Sequence, residues 1–107
     1  MSETTAVERG ATDPAIDYKP VIVRTYSAGV FFGYLVARDG REVTLERARR
    51  IWRWYGANTL SEIASFGLDA KTSRVATPVS IVLTEAIEII DCTHTAVDSI
   101  GAAKWAS

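Results

Sequence analysis

One cysteine, Cys92, and one histidine, His94, are the only thiol and imidazole that this 107-residue chain holds. A lone cysteine excludes an intrachain disulfide, and with it the small disulfide-stapled scaffolds. Cys92 and His94 lack the further soft ligands of a zinc site, so no metal is expected within one chain. Cys92 closes an apolar run beside Asp91, the opposite of the electropositive setting that activates a thiol. It is expected to be a small, buried or half-buried side chain. His94 reads as a polar residue at a helix start, because a nucleophile–base dyad is assembled by the fold and adjacency alone carries no specificity. Neither G-x-G-x-x-G nor Gly-Lys-Ser/Thr occurs, and Gly29-Val30-Phe31-Phe32-Gly33 has no phosphate-loop signature, so nucleotide hydrolysis is disfavoured. Glu85 and Glu88 differ in parity and would face opposite sides of a strand, which argues against an acid–base pair. No catalytic residue, metal or cofactor is expected.

Charge of one sign is also lacking. The net charge of −1 gives no global field for anionic membranes, and extended nucleic-acid binding is disfavoured. No apolar run approaches the roughly 20 residues that span a bilayer, and the polar, acidic N-terminus has no signal-peptide core. The charge is unevenly placed, however. Residues 1–17 carry Glu3, Glu8, Asp13 and Asp17 against Arg9, whereas residues 41–53 carry Arg41, Arg47, Arg49, Arg50 and Arg53 against Glu42 and Glu46. An acidic leader and a basic middle can touch each other, or the same parts of a neighbouring copy.

Hydrophobic content of 48% and charged content of 23% are ordinary for a globular domain. The length suits one domain with a modest core, to which contacts with other copies would add stability. Residues 1–18 form a polar, acidic N-terminal arm without apolar periodicity, and 19–107 a single small β-rich domain. Pro20 to Tyr26 is rich in β-branched residues and predicts a strand. Ser27-Ala28-Gly29 predicts a turn, and Val30 to Arg38 a second strand with Gly33 as a bulge or close-approach point. Asp39-Gly40 is the strongest hairpin signal. Arg41 to Arg47 alternates polar and apolar residues as a half-buried strand does, and continues after a bend through Ala48 to Tyr55. Thr59-Leu60-Ser61-Glu62 fits a capping box for a short helix that faces Leu60, Ile63 and Ala64 to the core and ends at Gly67. Leu68 to Pro78 reads as a polar loop. Val79 to Cys92 reads as a long apolar strand bent at Thr84-Glu85-Ala86. A last short helix is expected from Thr95, stopped by Gly101, with Trp105 packed back on the domain. The fold class is α+β, mainly β: a small antiparallel sheet or roll of about five strands with two short helices and an N-terminal arm.

The densest chemistry lies in Ala48-Arg49-Arg50-Ile51-Trp52-Arg53-Trp54-Tyr55-Gly56-Ala57, which holds two of the three tryptophans. On a strand, Arg50, Trp52 and Trp54 share one face, and Arg49, Ile51, Arg53 and Tyr55 the other. If the tryptophans pack in the core, Arg49, Arg53 and Tyr55 form an outer face suited to phosphate, carboxylate or protein contacts. If the tryptophans are exposed, Trp52 and Trp54 can stack on planar rings while Arg50 holds a phosphate. Arg49, Arg50, Trp52, Arg53, Trp54 and Tyr55 are therefore the candidate ligand-binding or interface residues. A small anionic ligand, or an acidic segment of a neighbour, suits them better than a long nucleic acid.

The strings Val21-Ile-Val-Arg-Thr-Tyr-Ser-Ala-Gly-Val-Phe31, Arg41-Glu-Val43, Ala48-Arg-Arg-Ile-Trp-Arg-Trp-Tyr-Gly-Ala57, Leu60-Ser-Glu-Ile63 and Leu83-Thr-Glu-Ala-Ile-Glu-Ile-Ile90, with Trp105 near the end, resemble an uncharacterised family of small tailed-phage and prophage proteins. The resemblance covers about residues 20–105. It implies a phage or prophage source and transfers no activity and no functional residue; position 53, usually aromatic in that family, is Arg53 here. Two functions fit. One is a non-enzymatic structural protein, a virion-associated decoration, head or neck component that forms homo-oligomers or binds other phage structural proteins, found in the virion or the host cytoplasm. The other is an oligomeric anti-defence protein that sequesters a small nucleotide immune signal through an Arg/aromatic pocket. Deleting residues 1–17 is expected to leave the thermal unfolding transition intact and to lower the assembly state, which sedimentation velocity would read; loss of the folded transition would contradict an arm separate from the fold.

Overall fold

The computed structural model describes residues 18–103; the acidic arm as far as Asp17 and the packing expected of Trp105 lie outside them. The chain runs β1 (Lys19–Thr25), β2 (Val30–Asp39), β3 (Glu42–Arg53), α1 (Leu60–Phe66), β4 (Arg74–Val75), β5 (Val79–Leu83), β6 (Ala86–Asp91) and α2 (His94–Ala102). The fold is mostly β, a six-stranded antiparallel sheet with two helices. Its order is β4-β3-β2-β1-β6, and β5 also pairs directly with β3, along Val43–Ala48, whereas β4 pairs at Ile51–Arg53. β5 and β6 are consecutive yet lie against opposite ends of the sheet. The bend at Thr84-Glu85 therefore curls the sheet into a roll, as expected of the long bent strand 79–92. The Ala86 N–H donates to Arg41 O (3.0 Å) and the Tyr26 N–H to Glu85 O (3.0 Å), which pins the closure.

Curling gives the sheet two buried faces and two cores. The inner face carries Val21, Val23, Phe31, Val43, Leu45 and Leu83. The outer face carries Ile22, Phe32 and Ile51, and is covered by Ile63 and Ala64 of α1 and Ile100 of α2. β1 lies between β2 and β6, so Val21, Ile22 and Val23 are all fully buried although their side chains alternate. This burial on both faces explains why β1 reads as a continuous apolar run rather than an alternating one.

Both helices begin on threonine caps. Thr59 Oγ1 accepts from the Glu62 N–H (3.1 Å), and Glu62 Oε1 accepts from the Asn58 N–H (2.8 Å), the reciprocal bonds of a capping box. Gly67 ends α1 as expected. The second helix departs from expectation. Thr93, not Thr95, is its cap and accepts from the Ala96 N–H (3.1 Å), and the helix passes through Gly101 to Ala102. Thr93 is better placed because it also bridges the helices: its hydroxyl donates to Ser65 O (2.6 Å) and its N–H to Ala64 O (2.8 Å). The hairpin is one residue later than expected, with Gly40 and Arg41 between the paired Asp39 and Glu42. Of the two loop residues only Gly40 has positive φ (62°), which a Gly-first turn requires. The stretch read as loop 68–78 contains β4, a two-residue strand held on β3.

β3 contains an extra residue. Phe32 pairs with Arg49 but Tyr34 with Glu46, and the β5 register slips at the same place, between Leu45 and Ala48. Arg47 sits there at φ 54°, in the left-handed region. The insertion is a β-bulge, and it faces Gly33. A side chain at Gly33 would have its Cβ 3.1 Å from Leu45 Cβ and 3.2 Å from Ala48 Cα, so the close approach expected from sequence is what the bulge needs. Gly33→Ala is expected to destabilise by about 1–3 kcal/mol through overpacking, measured by urea unfolding; an unchanged midpoint would mean that the bulge yields freely.

Candidate functional site

The bulge decides where the Arg/Trp stretch points. Val43 and Leu45 face the inside of the roll, and beyond Arg47 so do Ala48, Arg50 and Trp52. Arg49 and Ile51 turn to the helix-covered face instead. The candidate residues are thus divided between two places with different chemistry.

Arg49 is half-buried beneath α2 and β4. Its Nε donates to Ala76 O (2.7 Å), its Nη1 to Ile100 O (3.0 Å), and its Nη2 to Val75 O (3.3 Å) and Ala103 O (2.6 Å). Burial lowers the pKa of this guanidinium from its ordinary value, and backbone carbonyls take the place of a carboxylate. Two of the carbonyls belong to the C-terminal end of α2, where a cation also complements the helix dipole. Arg49 is a clamp that holds α2 and β4 on β3.

The other residues form a surface. Arg50, Trp52, Val79 and Ile81 with Phe31, Ala76 and Thr77 line a cleft of about 450 Å³ at the mouth of the roll. The Arg50 guanidinium carbon lies 4.9 Å from the Phe31 ring centroid, and those of Arg53 and Arg74 lie 5.5 and 6.0 Å from Trp52. Trp52 is 46% exposed. Among the described residues no carboxylate is found within ion-pair distance of Arg50 or Arg53; ion pairs elsewhere include Lys19 with Asp91, Arg24 with Glu88 and His94 with Asp98. Trp54 parts from Trp52, because β3 ends at Arg53, and packs half-buried against the outer core. Tyr55 is exposed, its N–H accepted by Ser73 Oγ (3.0 Å). The shared face expected for Trp52 and Trp54 is therefore replaced by one exposed and one packed tryptophan.

Sequence reasoning missed Phe31 and Arg74. Phe31 was legible in principle, since its parity with Val21 and Val23 follows from pairing β1 with β2. Arg74 carried no signal, because nothing local marks a two-residue strand. The remaining polar candidates are spent on structure. Arg24 Nε holds Glu88 Oε1 at 2.9 Å and Ser27 Oγ donates to Glu85, so the two glutamates have separate partners. Burial, and Asp91 after it, push the Cys92 thiol up to about 12, which keeps it protonated and unreactive near neutral pH. Among the described residues no three His, Cys, Asp or Glu side chains gather as metal ligands, and no helix is long and apolar enough to cross a membrane.

Residues 18–100 match the family model described as a domain of unknown function, DUF6948, and the chain belongs to that family. No curated protein and no solved structure matches it.

The division of the arginines is testable by stability. Arg49→Met is expected to cost about 2–4 kcal/mol, because buried carbonyls lose their donors. Arg49→Lys recovers less than half of that, since one ammonium cannot span a fork's partners. Trp54→Ala costs about 2–4 kcal/mol and Trp52→Ala within about 1 kcal/mol, by urea unfolding. Equal losses for the two tryptophans would contradict their separate surroundings.

Proposed function

We propose that this DUF6948 chain is a non-enzymatic, assembly-forming protein encoded by phage or prophage, acting in the virion as a decoration, head or neck component. Its contact surface is the Arg/aromatic cleft, through which it joins further copies or other structural proteins, in the virion and in the host cytoplasm during assembly. The observation that carries the reading is the surface formed by Arg50, Arg53 and Trp52. Two exposed guanidiniums lie on aromatic rings above an apolar floor, and no described carboxylate neutralises them. Tryptophan and arginine around a desolvated apolar centre are the side chains that dominate protein contacts. The phage source is supported by the resemblance of the strings around Val21, Trp52 and Ile87.

A second reading has its own support. The cleft has the volume of a small-molecule pocket. A planar ring on Trp52 with a phosphate at Arg50 would suit a small nucleotide, which makes the chain a binding protein that sequesters an immune signal.

Proteomics of purified particles, together with native mass spectrometry of the chain from infected cells, separates the two. The chain is expected at stoichiometric level in particles and as a homo-oligomer without added mass. Its absence from particles, with a nucleotide-sized mass on the oligomer, would transfer the function to the second reading.

A further inference from the structure

The two ends of the rolled sheet are protected very differently. β6 pairs with β1 on one side only, and it carries Glu88 and Asp91, the charged side chains that keep an edge from pairing with another chain. β5 pairs with β3 on one side only, and its sequence Val79-Ser80-Ile81-Val82-Leu83 has no charge at all. Val79 is 51% exposed and Val82 52% exposed, one on each face of the strand. No backbone hydrogen bond among the described residues reaches its free edge. Such an edge invites a further strand.

The cleft adjoins that edge. Val79 and Ile81 of β5 form one wall, with Phe31, Arg50 and Trp52 opposite. A strand laid along β5 would send alternate side chains onto this face, where an apolar side chain meets the floor and a flanking carboxylate meets Arg50 or Arg53. The occupant must be extended, apolar at intervals and acidic. Residues 1–17 of the chain itself have this composition: Ala6-Val7-Glu8 places a β-branched residue beside a carboxylate, and Glu3, Glu8, Asp13 and Asp17 stand against Arg9 alone.

We propose that the acidic segment 1–17 of a second copy docks along the free edge of β5, its carboxylates on Arg50 and Arg53 and its apolar side chains in the cleft. The proposal rests on the cleft being a protein-contact surface, and it names the partner and the mode of contact. Such docking joins copies either by reciprocal exchange of the segments in a two-fold dimer or head to tail in a ring or array.

Hydrogen exchange on the full chain tests it. The amides of residues 79–83 are expected to exchange about tenfold or more slowly in the wild type than in Arg50→Glu/Arg53→Glu, while those of 21–23 stay equally protected in both. Reversing the charge of the segment (Glu3→Arg, Glu8→Arg, Asp13→Arg) should expose 79–83 in the same way, and combining the two reversals should restore protection. Protection should fall on dilution as the assembly dissociates. Fast exchange of 79–83 in the wild type, failure of the double reversal to rescue, or protection that persists in a monomer would each overturn the proposal. An oligomer that keeps 79–83 protected under either reversal made alone would overturn it while leaving assembly intact. Absence from virions would count against the virion role alone.

Discussion

One inserted residue in β3 sets the orientation of everything that follows it. Side chains on a strand alternate, so a single extra residue sends every later one to the opposite face. Without the bulge at Arg47, the strand that buries Val43 and Leu45 would turn Arg49 and Ile51 into the roll and Arg50 and Trp52 under the helices. Arg47 would then take the fully buried inner place that Ala48 fills, and a guanidinium in that apolar core would be costly to bury. The left-handed conformation at Arg47 costs about 1–2 kcal/mol for a residue with a side chain. That is small beside the alternative, and Gly33 makes it sterically feasible by leaving room for the bulged backbone.

The flip places Arg49 where backbone carbonyls converge from β4 and the end of α2. The clamp bears on the surface as well as on the core. Val75 and Ala76, which it holds, lead directly into Thr77 and Val79 on the wall of the cleft. The same stretch of sequence thus supplies both the fastening beneath the sheet and the cations presented above it. Arg49 has four carbonyl acceptors; the side chain of Arg50, its neighbour, lies over an aromatic ring among the described residues. Neighbouring arginines of one chemical type acquire different roles because the pleat sends them to opposite faces.

The surface that results is unequal around the molecule. Carboxylates guard β6, and an uncharged edge with an apolar, cationic cleft beside it marks β5. On the reading proposed above, this asymmetry suits contact with an acidic, extended partner. The lone thiol is protonated, Glu85 and Glu88 bond elsewhere, and the exposed cations cluster on rings rather than beside a nucleophile. Residues 1–17 are acidic and residues 41–53 basic, so the near-neutral total charge conceals a strong local imbalance.

Much of the framework was legible in the chain itself. The β-branched run at Val21 to Val23, the capping box at Thr59 and the bend within 79–92 are local patterns, and local patterns follow from the propensities and hydrogen bonds of neighbouring residues. Gly33 as a close-approach point was equally legible, because only an absent side chain lets two backbones meet. What lay beyond the sequence was set by partners distant along it. Thr93 became the cap of α2 because Ser65 and Ala64 stood ready to accept its bonds. β4 exists only because β3 offers it an edge. The division of Arg49 from Arg50, and of Trp52 from Trp54, arose from a bulge that Gly33 on the opposite strand permits and that β5 shares in its register. The sequence by itself determined the longer strands, the first helix and the positions of the cations. Only the tertiary structure decided which cations were buried and which presented, because the facing of a strand depends on register, and register is a property of two strands.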